Sequence, residues 1–75
     1  MMNIEKLVYM ANQIGAFFQA QGEAAAVAGI ADHLAKFWDP RMRDAIFKHA
    51  DAGGEGLKPL VLKAVQSLKS AQSGA

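Results

Sequence analysis

Three groups of side chains in this sequence could do chemistry, and only one of them is concentrated enough to need explaining. His33 and His49 are the only histidines, and there is no cysteine. A zinc site needs three or four ligands at defined spacing, and neither HxxxH, ExxH nor a cysteine pair occurs. Asp32 sits beside His33, and Asp51 lies near His49, but residues one or two apart on a helix do not face each other. Gly53-Gly54-Glu55-Gly56 lacks the following Lys-Ser/Thr of a phosphate loop and the preceding strand of a dinucleotide fingerprint. The third group is Phe37-Trp38-Asp39-Pro40-Arg41-Met42-Arg43, which packs two aromatics, an acid, a proline and two arginines into one junction. Asp39 reads as a helix N-cap with Pro40 at the first helical position, where its missing N–H costs nothing. Arg41 and Arg43 then fall in the first turn, at the positive end of the helix dipole, where a cation is disfavoured by about 0.3–1 kcal/mol. A local rule broken twice in three residues marks a candidate contact with a partner. The structural alternative is an Asp39–Arg43 pair, spaced i,i+4 with the acid first.

The elements that position this junction are helices. Ile4, Leu7, Val8, Ala11, Ile14, Gly15 and Phe18 recur at helical period, so the first helix is expected from about Asn3, its cap, to Gln21. A second is expected from about Glu23 to Phe37, aligning Val27, Ile30, Ala31, Leu34, Phe37 and Trp38, with both rings as its buried end. The third runs from Pro40 to about Ala50, with Met42, Ala45, Ile46 and His49 inward. It is stopped by Ala52-Gly53-Gly54-Glu55-Gly56, whose glycines supply the left-handed conformation of a helix terminus. The fourth runs from about Lys58 to Leu68 with Leu57, Leu60, Val61, Ala64, Val65 and Leu68 aligned. Its cap is undefined, because Lys58 is a poor one. No strand-like alternation occurs. The expected fold is all-α: one domain over residues 1–75, a small bundle of about four short helices. Residues 3–69 are expected to be ordered and 70–75 to form a flexible tail.

Composition narrows the function. A net charge of +1 leaves no electrostatic footprint for nucleic acid or an anionic membrane. A helix-turn-helix reading of the second and third helices also meets an acid-studded third helix. Asn12 and Gln13 interrupt the early apolar run, so it resembles neither an export signal nor a membrane span, and a cytoplasmic protein is expected. No nucleophile has a base arranged beside it, and four short helices do not easily enclose a pocket, so catalysis by this chain alone is not expected. Yet 52% of the residues are hydrophobic, more than so small a core can take up, and part of that surface is expected to meet a partner.

Beyond the junction, the first helix carries no charge from Leu7 to Gly22. Tyr9, Met10 and Phe17 could form a second contact surface there, through which the isolated chain could also dimerise. Alternatively the other helices wrap this one on both sides. Phe47 lies roughly 140° from the inner stripe of the third helix at about 100° per residue, on the side of Arg43. Aromatic plus arginine is the composition of interface hot spots. Gly29 lies on an outward strip with Ala25, Asp32 and Lys36, where its cost of about 1 kcal/mol relative to Ala would be explained by a close approach or by nothing at all. The partner-facing candidates are therefore Trp38, Asp39, Arg41 and Arg43, then Phe17 and Phe47, with Trp38 equally open to a role as core anchor.

Met10-Ala11-Asn12-Gln13-Ile14 with Phe17-Phe18, Ile30-Ala31-Asp32-His33-Leu34 and Phe37-Trp38-Asp39-Pro40-Arg41-Met42-Arg43 together resemble the small delta subunit of NAD-dependent formate dehydrogenase. The Gly-rich turn followed by Leu57, Pro59, Leu60, Val61, Ala64, Val65 and Leu68 fits the same pattern, so the resemblance extends from Asn3 to about Leu68. It implies a cytoplasmic, non-catalytic accessory subunit that binds no cofactor itself and serves the assembly or stability of the catalytic large subunit. That partner would carry a molybdenum or tungsten pterin and iron–sulfur clusters. Other subunits would carry FMN and a further cluster and reduce NAD. The alternative is a maturation factor that visits the cofactor-free catalytic subunit and leaves.

Overall fold

A computed structural model describes residues 3–73, and among these the regular structure is helical throughout. Helix α1 spans Ile4–Phe18, followed by a 3-10 turn over Gln19–Gln21. Helix α2 spans Glu23–Phe37, α3 Pro40–Asp51 and α4 Pro59–Ser73. The all-α expectation holds. The fourth helix is longer than its apolar stripe predicted: residues 70–73, read as tail, continue α4, while Gly74 and Ala75 lie outside the described residues. Two features C-terminal to the stripe's centre hold α4 in place. Leu68 is buried, and Lys69 Nζ lies 2.8 Å from Asp51 Oδ2 at the end of α3.

The helix ends follow from local chemistry. Asn3 Oδ1 accepts from the backbone N–H groups of Glu5 at 2.9 Å and Lys6 at 3.3 Å, satisfying two of the donors left open at the start of α1. At the end of α3, Gly54 N donates to His49 O and Gly53 N to Ala50 O, the pair of bonds of a Schellman motif. Gly53 occupies the left-handed position of that motif, at φ +117°.

The core is built around α4, whose Val61, Ala64 and Val65 are completely or almost completely buried. The most extensive helix–helix contact joins α2 to α4. Ile30 and Leu34 of α2 and Ile46 of α3 fill the same interior, and Leu7 and Ala11 close it from α1. Small residues set the spacing. A Cβ on Gly15 would collide with Val61 Cγ2, so α1 and α4 approach closely because that position has no side chain. Helix α1 is not wrapped on both sides: Tyr9, Gln13 and Ala16 form an exposed outer face, continued by Ala20 in the 3-10 turn.

Candidate functional site

The junction between α2 and α3 is made of the residues the sequence singled out, and most of them are engaged within the chain. Ile30, Leu34 and Trp38 recur every four residues, and this row takes Trp38 into the core at 5% exposure. The neighbouring ring cannot follow. Phe37 is 72% exposed, so the expectation that both aromatics form the buried end of α2 is corrected: adjacent positions differ by about 100° around a helix, and only one lies on the inner row.

Asp39 caps α3, its Oδ1 accepting from Met42 N at 3.0 Å, and Pro40 takes the first helical position. Among the described residues Asp39 and Arg43 form no ion pair. Arg43 turns back across the junction, and its Nη1 donates to Trp38 O at 2.6 Å and Ala35 O at 3.0 Å. Both carbonyls belong to the terminus of α2, where the dipole is negative and the last C=O groups lack helical partners. The arginine that breaks the rule for α3 thus obeys it for α2. Arg41 remains exposed. Phe47 is half-buried and packs against the core, less open than its position on the helical wheel suggested. It lines a shallow depression with Pro40, Arg43, Asp44, Lys69 and Gln72.

A second region gathers aromatic rings on the surface. Phe17 and Phe18 meet edge-to-face at 5.1 Å between centroids, Phe18 and His33 follow at 6.5 Å, and His33 and Phe37 at 4.7 Å. These contacts form one strip across the α1–α2 seam. Phe18 and His33 are half-buried within it, whereas Phe17 is 74% exposed at one end and Phe37 lies open at the other. Gly29 belongs to this seam and not to an outward strip, because a Cβ there would stand 2.6 Å from the Phe18 ring. The sequence reading found Phe17 but missed Phe37, Phe18 and His33 as its neighbours. The signal was present: His33 and Phe37 are spaced i,i+4, one row away from the inner Ile30–Leu34–Trp38 row.

A third arrangement also went unread. The Asn12 side chain reaches from the middle of α1 to the loop before α4. Its Nδ2 donates to Gly56 O at 2.9 Å, and its Oδ1 accepts from Lys58 N at 3.0 Å. This clamp stands in for the missing cap of α4: Asn12 takes the N–H of Lys58, while the Lys58 carbonyl accepts from Leu62 N. His49 holds the same loop, its Nε2 lying 2.6 Å from Glu55 O. A carbonyl only accepts, so Nε2 carries the proton. Beside the clamp an open groove of about 450 Å³ runs between α1 and the start of α4, floored by Gly15, Ala16 and Val61. On its rim Lys63 Nζ donates to Glu23 Oε2 at 2.6 Å and holds that carboxyl below its ordinary range.

Among the described residues no three His, Asp or Glu side chains are grouped to hold a metal ion, and no helix is long and apolar enough to cross a membrane. The class of protein is thus a small all-α bundle, with a junction whose Trp38 is buried and whose Asp39 and Arg43 are paired within the chain, and with a strip of aromatic rings on its surface. Residues 6–65 match the family described as the NADH-dependent formate dehydrogenase delta subunit, FdsD. The match takes in most of the 75 residues, and the chain belongs to that family. No curated protein and no solved structure matches it.

Proposed function

We propose that this chain is a non-catalytic accessory subunit of a cytoplasmic NADH-dependent formate dehydrogenase, docking on the catalytic large subunit and favouring its assembled form. The observation that carries this reading is the family match over residues 6–65. A protein that binds only the native state of its partner stabilises that state by mass action, by about 2.7 kcal/mol at a hundredfold excess over Kd. Nothing more than a well-fitted surface is needed for such a role.

The redox groups implied by the family are assigned to the partner subunits: a molybdenum or tungsten pterin and iron–sulfur clusters on the large subunit, FMN and a further cluster elsewhere. The donor set of this chain does not suit an iron–sulfur cluster, which takes cysteine thiolates, since the sequence has none. Of the candidate residues, Phe17 is exposed and open to a partner, and Arg41 is exposed without a part in the docking proposed below. Trp38, Asp39 and Arg43 are taken up in shaping the α2–α3 junction, and Phe47 contributes only its open edge.

The test is affinity purification of the tagged chain from its host, with quantification of everything recovered. Equimolar recovery with active, cofactor-loaded formate dehydrogenase is the expected result. Recovery only with the cofactor-free catalytic subunit would replace the reading by that of a transient maturation factor. Recovery of neither would overturn both.

A further inference from the structure

We infer that the strip of rings formed by Phe17, Phe18, His33 and Phe37 is the anchor of the docking surface, and that its occupant is an apolar, uncharged recess on the catalytic subunit. The inference rests on the proposed accessory role and adds the surface to it. Two observations select the strip. Phe17 and Phe37 are 74% and 72% exposed although each touches another ring, so the strip is held in shape by its own contacts and left open at both ends. Rings fixed in this way lose little freedom on binding, which is why aromatic side chains dominate the energetics of interfaces.

Charge and area then choose the occupant. From Leu7 to Gly22 the flanking helix has no charge, and on α2 the adjacent Asp32 and Lys36 neutralise each other at 3.1 Å. A charged partner surface would be desolvated here without compensation, so the complementary surface is apolar. Fully burying an aromatic side chain removes about 150–250 Å² from water, so the open parts of Phe17 and Phe37 together offer roughly 200–400 Å². A stable interface of standard size takes about 800 Å² from each partner. Two copies meeting ridge to ridge through this strip fall short of that area. A recess on a larger protein makes it up by closing around the strip and over the neutral outer face of α1, where Tyr9 is 64% exposed.

The experiment is capture of the purified catalytic subunit by the full-length tagged chain, for the wild type, Phe17→Ala, Phe37→Ala, the double variant and Arg41→Ala. Helicity and thermal unfolding are measured on each, and the oligomeric state of the free chain by light scattering. Each single ring removal is expected to weaken capture about 30-fold or more, the hot-spot range, and the double variant to abolish it, with folding retained and Arg41→Ala near wild type. Equal capture by wild type and the double variant would overturn the surface assignment while leaving the accessory role standing. No capture by wild type would remove the accessory role itself. A wild-type dimer that the double variant dissociates, with capture of the catalytic subunit unchanged, would make the occupant a second copy and overturn the inference. If Phe37→Ala unfolds the chain, Phe37→Gln and Phe37→Leu, both good helix formers, replace it. Weakened capture by Gln with retention by Leu supports an apolar recess, and retention by both contradicts it.

Discussion

The α2–α3 junction and the α1–α2 strip both carry aromatic rings and use them in opposite ways. At the junction Trp38 is buried, Asp39 caps α3, and Arg43 turns its Nη1 to two carbonyls at the end of α2. Along the strip the rings touch one another in turn and leave Phe17 and Phe37 open to water. A cluster of aromatics and arginines is therefore not in itself an interface. What separates the two regions is whether intramolecular partners saturate the groups, and that depends on which row of a helix each residue occupies. The junction should answer to stability measurements and the strip to binding measurements.

The largest effect that could break this contrast is at Trp38. Trp38→Ala would empty a core position at a cost of about 3–5 kcal/mol, against a total of roughly 4–11 kcal/mol for a chain of this length. Chemical denaturation should show a chain close to unfolding. A Trp38→Ala variant that unfolds like wild type but no longer binds the catalytic subunit would put Trp38 at the interface. Next is Gly15→Ala, whose methyl group would meet Val61 at the closest approach of α1 and α4. Overpacking of this kind costs about 1–3 kcal/mol, offset in part by the higher helix propensity of alanine, and a lowered thermal midpoint checks it.

The arginines sharpen the comparison because they are two residues apart. Arg43→Ala removes hydrogen bonds from a charged donor to two helix-end carbonyls and should cost about 1.5–3 kcal/mol. Arg41→Ala, at an exposed position, should stay within about 0.5 kcal/mol of wild type. Equal destabilisation by both would mean that Arg43 does not cap α2. The smallest effect concerns pH. Lys63 holds the Glu23 carboxyl below its ordinary value of 4.5, first by its hydrogen bond and then by its charge. The unfolded chain therefore binds more protons in the acid range, so the contribution is present above about pH 4.5 and fades as pH falls through the lower folded value. Because Glu23 is exposed, the loss should be slight and weakened further by salt, and it should vanish in Lys63→Met when thermal midpoints are compared across that range.

The parts of this structure that were legible in the sequence are those set by near neighbours. Asn3, Asp39-Pro40 and Gly53-Gly54 act within a few residues of themselves, so the caps and stops could be placed, and helical periodicity gave all four helices. The missed features act at long range or hinge on a single row of a helix. Asn12 binds a loop 44 residues away, Gly29 is small because of Phe18, and residues 70–73 stay helical in a helix tied to α3 through Lys69 and Asp51. Phe37 and Trp38 are equally apolar, so composition alone could not say which ring turns inward. The four-residue row from Ile30 decides it in favour of Trp38. Arg43 was misjudged because its dipole was taken from the helix it belongs to and not from the one it caps.

Site-specific photocrosslinking in the host tests the central claim most directly. A benzophenone-bearing phenylalanine is placed singly at Phe17, Phe37 and Arg41 of the full chain, and adducts are identified after irradiation. The account predicts adducts with the formate dehydrogenase catalytic subunit from positions 17 and 37, and far weaker ones from position 41. Adducts with that subunit from position 41, with none from 17 or 37, would return the contact to the junction and contradict the account.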